Sequence, residues 1–138
     1  MNIITTAVVS TLLAGSLFAG NLTAQSKLSS DMRAMLSAIT DMQRAGFYNN
    51  KQGVLDSTKR LVSSLDSLLE ADASKYLPDN QANAGKFAKK RVKMIKMYAQ
   101  DLTDSIKNRD YEEAMEDYSQ LLRQCTSCHS RIRNRMWK

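Results

Sequence analysis

The sequence predicts an all-α protein, an up-down-up-down antiparallel bundle of four helices, and three observations carry that prediction. Apolar residues recur at steps of three and four from Ser26 onward, the rhythm of helices with one buried face. One proline and five glycines among 138 residues are too few for the frequent chain reversals of a β-sandwich or barrel. No stretch alternates apolar and polar residues as a half-buried strand does. The length suits one domain. Lys+Arg is 20 and Asp+Glu is 14, a formal net charge of +6; with 25% charged residues the chain is neither a membrane bundle nor a disordered polyelectrolyte. The two cysteines stand three positions apart and close no useful loop, which excludes a disulfide framework.

The elements follow in order. Residues 1–24 contain no Asp, Glu, Lys or Arg, and their apolar run is broken by Thr, Ser and Gly. That run is too short and interrupted for a membrane span, which needs about 20 predominantly apolar residues. It reads as a secretory signal peptide cut after Ala24 or Ala19, leaving residues 25–138 as the bundle domain. Its start lacks Lys and Arg, so an uncleaved N-terminal anchor is the other reading; either puts the folded part outside the cytoplasm, in the periplasm. The first helix carries Leu28, Met32, Met35, Ile39 and Met42 and is expected to stop at Gly46 as a left-handed cap. Tyr48 to Asn50 make a short loop. The second helix carries Val54, Thr58, Leu61, Leu65 and Leu68, and the longest connection runs from Ala71 to Pro78. The third shows Ala88, Val92, Ile95, Ala99, Leu102 and Ile106 on one face, with Lys86, Lys89, Lys93 and Lys96 opposite. Asp110 and Glu113 read as an N-cap and its capping-box partner. The fourth helix then presents Ala114, Tyr118, Leu121, Cys125, His129, Ile132 and Met136 along one stripe. Four such stripes are buried only against each other.

Chemistry concentrates in one place. Both cysteines and the only histidine fall in Cys125-Thr126-Ser127-Cys128-His129. On a helix, offsets of 0, +3 and +4 share one face within a turn. This is the C-x-x-C-H spacing of c-type haem attachment, in which two thiols form thioethers with haem vinyl groups and the imidazole becomes the proximal iron ligand. Three readings compete. A structural zinc ion wants four ligands, so a carboxylate would have to join these three. A thioredoxin-like redox pair belongs beside a βαβ pattern, and the sequence offers no strand. A buried inert thiol pair leaves the histidine unexplained. No second histidine exists for peroxide chemistry and no nucleophile–base pair is found, so a carrier or binder is expected rather than an enzyme.

The position of the motif, on the last of four helices, resembles the class II c-type cytochromes, the cytochrome c′ and c-556 group, with the related non-covalent b562 bundles. Their final helix reads His-x-x-(Tyr/Phe)-Arg; here His129, Ile132 and Arg133 hold those places, with Ile for the aromatic. The resemblance implies haem between the helices, the proximal ligand from helix four and a distal residue from helix one. With methionine there, members tend to carry single electrons; with a bulky apolar residue, iron stays five-coordinate and binds nitric oxide or carbon monoxide. The carrier with His/Met ligation is the expected function, and the gas binder or sensor is the alternative. Met136, the only methionine after His129, lies on the same helix and cannot reach the other side of the iron. In the b562 bundles the ligand methionine opens an apolar seam at +3, +7 and +10; Met32 has Met35, Ile39 and Met42 at those offsets and Asp31 before it. Met32 is thus the expected sixth ligand and Met35 the runner-up. Arg133 is expected to pair with a haem propionate. Lys86, Lys89, Lys90, Arg91, Lys93 and Lys96 form a run without an acid, followed by Arg131, Arg133, Arg135 and Lys138 after the motif. This basic surface would steer an acidic redox partner rather than nucleic acid, or be simply a solvated face. Pairing of two copies through helices one and two is common in the resembled group.

Overall fold

A computed structural model of the chain describes residues 16–70 and 83–132. They form four helices: α1 (Ser16–Phe47), α2 (Lys51–Glu70), α3 (Ala84–Asn108) and α4 (Tyr111–Ile132). Helix α1 packs along α2 and α3 along α4, with a smaller α2–α3 contact, as expected of an antiparallel four-helix bundle. The remaining helix pairs, α1 and α4 among them, share few or no close backbone approaches. Residues 1–15 of the expected leader lie outside the described residues, and residues 16–24 belong to α1. The connection from Ala71 to Pro78 is also outside them. No helix among the described residues is long and apolar enough to cross a membrane.

The expected stripes are the core. Val54, Leu61 and Leu65 of α2, Val92, Ile95, Ala99, Leu102 and Ile106 of α3, and Ala114 and Leu121 of α4 are buried in one cluster. On α1 the buried line is Met35, Ala38, Met42 and Ala45, so the two alanines join the core and Met32 and Ile39 stand at its edge. Alanine at Ala45 lets α2 come close: a Cβ built on Gly53 would meet the Ala45 Cβ at 2.9 Å.

One boundary differs from expectation. Gly46 is helical, and the left-handed residue is Asn49, with φ of 51°. Asn tolerates that conformation, so the helix runs on to a better set of hydrogen bonds. The Asn49 N–H donates to the Gly46 carbonyl at 3.1 Å and the Asn50 N–H to Ala45 at 2.8 Å, a Schellman motif. The same motif ends α3, where Arg109 has φ of 62°, its N–H reaches Ile106 and the Asp110 N–H reaches Ser105. Each turn then caps the next helix: Asn50 Oδ1 accepts from the Gly53 N–H at 2.9 Å, and Asp110 Oδ1 from the Glu113 N–H at 3.1 Å. The Asp110 N–H is already committed to Ser105, so the capping box expected with Glu113 closes on one side.

Candidate thiol–imidazole site on the last turns of α4

The antiparallel order puts the end of α4, where Cys125, Cys128 and His129 lie, beside the N-terminal half of α1 and the start of α3. All three side chains are half-buried and both cysteines are free thiols. Cys125 packs against the main core. Burial pushes its thiol up to about 11, helped by the nearby Cys128. Burial also raises Cys128, against a smaller lowering pull from the Arg91 guanidinium. Tyr118, two turns before Cys125 on the same face, is raised by burial and then by Cys125. At neutral pH both thiols are therefore protonated.

At the far end of the bundle α1 and α4 share a cavity wall. There a cavity of about 260 Å³ is lined by Gln43 and Gly46 from α1 and by Ala114, Met115 and Tyr118 from α4. Eleven residues make three helical turns and return to the same face. Eleven back from Gln43 is Met32; eleven forward from Tyr118 is His129. By this count Met32 and His129 fall at about one level of their helices, and the same count from Gly46 leads to Met35. Met35 lies about 4.5 Å further along the axis and is buried in the core, whereas Met32 is half-buried at the core's edge. Arg133 lies outside the described residues. Among the described residues no three His, Cys, Asp or Glu side chains converge as a site for a free metal ion.

The basic run divides in the structure. Lys86, Lys89, Lys90 and Lys93 are exposed, and Lys96 is paired with Asp66 of α2. Arg91 is a correction to the solvated-face reading: it is half-buried and its Nη1 donates to Gln124 Oε1 of α4 at 2.6 Å. Sequence reasoning missed three things here. Asp117 is buried, its carboxylate accepting from the Ser105 hydroxyl at 2.8 Å. Gln124 is buried against Arg91. The cavity at the turn end, with exposed Phe47, Tyr111 and Met115 on its wall, is the third; its signal was two large apolar residues four apart, off the α4 stripe. Comparison with protein families, curated proteins and solved structures found no significant match to this chain.

Proposed function

We propose that this protein carries one covalently attached haem c, held by thioethers to Cys125 and Cys128, with His129 and Met32 as iron ligands, and acts as an exported one-electron carrier. The observation that carries the reading is that Cys125, Cys128 and His129 share one half-buried face of α4, beside a helix, α1, that makes few close backbone contacts with it. The donor set fits the group. Two protonated thiols and an imidazole share one helical face, and each thiol can add its sulfur to one vinyl carbon and its hydrogen to the other, with no oxidant consumed. When bound, the group supplies an iron that cycles between two oxidation states. The Met32 thioether favours the reduced state and raises the potential, as suits a carrier. The packed core around Leu121, one turn before Cys125, fixes the motif's helix against movement during transfer. Exposed Lys86, Lys89, Lys90 and Lys93 would face an acidic redox partner, whose rate of reduction should then fall with ionic strength.

The test is chemical. After expression with export and denaturing electrophoresis, the polypeptide band should retain haem-dependent peroxidase staining. The Cys125→Ala, Cys128→Ala double variant should lose it. Staining retained by the double variant, or absent from the native chain, overturns the proposal.

A further inference from the structure

The flank of α4 beside the motif's face forms a second feature with its own chemistry. Arg123, Gln124, Ser127 and Ser130 of α4 and Arg91 of α3 line an open cleft of about 580 Å³. Ser127 sits about 160° round the helix from His129, whereas Gln124 is about 40° from Cys128, so the cleft borders the motif's face. None of Cys125, Cys128 or His129 lines it.

Arg91 is held in place on two sides. Its Nη1 donates to Gln124 Oε1, and its Cζ stands 4.8 Å from the Phe87 ring centroid. Its Nε is buried and has no acceptor. Arg131 uses the same ring, its Cζ 4.5 Å from the centroid. Two guanidinium groups thus share one aromatic ring. Among the described residues no carboxylate lies within ion-pair distance of Arg91, Arg123 or Arg131. Glu116, the acid nearest in sequence on this side of α4, accepts from the Gln120 amide at 2.6 Å. The Thr126 and Ser130 hydroxyls donate to carbonyls of their own helix, whereas the half-buried Ser127 hydroxyl has no partner among the described residues.

A partly desolvated cation without a counter-charge, and with one buried N–H unmet, is costly to fold. An anion in the cleft would supply the counter-charge that Arg91 lacks. Planar guanidinium donors and a hydroxyl match the oxygens of a tetrahedral oxyanion. We infer that this cleft binds a phosphate group, with Arg91 and Arg123 as its clamp and Ser127 Oγ as a further donor. None of the proposed donors belongs to the motif, though Arg91 stands near enough to Cys128 to act on its thiol. The phosphate can come from solution or from a lipid headgroup, and two arms of one experiment separate these sources.

The experiment follows the arginine side-chain N–H resonances of the full chain by NMR. One arm adds inorganic phosphate and the other adds phosphatidylglycerol vesicles. Arg91 and Arg123 should shift together and saturate. Saturation with phosphate identifies a soluble ion; a response to vesicles alone identifies a headgroup. Arg91→Lys keeps the charge and loses the fork, and should weaken binding roughly tenfold, as should the exposed-site change Arg123→Gln. Lys59→Gln, on exposed α2 surface, should change nothing. No saturating shift in either arm overturns the inference. So does equal affinity in native protein and Arg123→Gln, which would reduce the cleft to diffuse positive charge.

Discussion

The two ends of the bundle are built from different materials. At the turn end, two Schellman motifs and two side-chain caps of one pattern close the α1–α2 and α3–α4 connections with backbone hydrogen bonds. At the motif end, α3 starts behind left-handed Asn83 without a side-chain cap. What gathers there is side-chain chemistry: two thiols, an imidazole, a buried amide and a guanidinium with an unmet N–H. One end sets the register of the helices and the other spends part of that rigidity on groups that are unfavourable to bury. Stability and chemistry are separated along one axis, about five turns of α4 from Tyr111 to His129, but joined by the same core.

The change with the largest expected effect strikes the motif end alone. In haem-loaded protein, Met32→Ala should turn a low-spin ferric spectrum high-spin and open the iron to carbon monoxide, while Met35→Ala keeps the low-spin spectrum. The reverse result moves the ligand one turn along α1, and a native protein already high-spin gives the seam to the gas-binding alternative. Next is the core that both ends share. Leu121 has 0% exposure, so Leu121→Ala should cost about 3 kcal/mol in urea unfolding, against under about 0.5 for Leu36→Ala at 65% exposure.

A smaller effect distinguishes the free from the tethered thiol. The unfolded chain releases the Cys125 proton near 9.0 and the folded chain holds it to about 11. The folded state is thus fully favoured below pH 9 and loses about 2 kcal/mol as pH rises toward 11. Chain without haem should show this loss, Cys125→Ala should show less of it because only Cys128 remains, and haem-loaded chain should lack the thiol part, which pH-dependent unfolding would reveal. The smallest effects belong to the turn end. Asn50→Ala and Asp110→Ala should each cost about 1 kcal/mol of unfolding free energy and leave any haem spectrum untouched. A spectral change in either would break the separation of the two ends.

The helices were legible because their stripes repeat at three and four, and the motif because its residues are local in sequence. Asp110 was readable as a cap for the same reason. Gly46 misled because glycine is the usual left-handed residue, yet Asn49 supplied that conformation after one more turn of helix. Buried Asp117 and Gln124 were invisible: each is explained only by a partner on α3, Ser105 or Arg91, and nothing local announces such a pairing. Arg91 was hidden in the same way, one cation in a run whose other members face solvent or Asp66. The register of α1 against α4 was not legible either; the cavity residues Gln43, Gly46 and Tyr118 supply it, and it brings Met32 or Met35 to the level of the motif.

The pairing of α1 with α2 and of α3 with α4 has a kinetic consequence. Each hairpin is closed by a turn of two or three residues, so its contacts are local and its helices can zip without waiting for the other pair. The α1–α4 seam is the opposite case. Met32 and His129 are 97 positions apart, and closing that loop carries the larger entropic cost. The seam is accordingly the last part of the bundle to form. Under the proposed function, two preassembled hairpins would close around a flat group already tethered to α4, and neither would have to reopen to admit it.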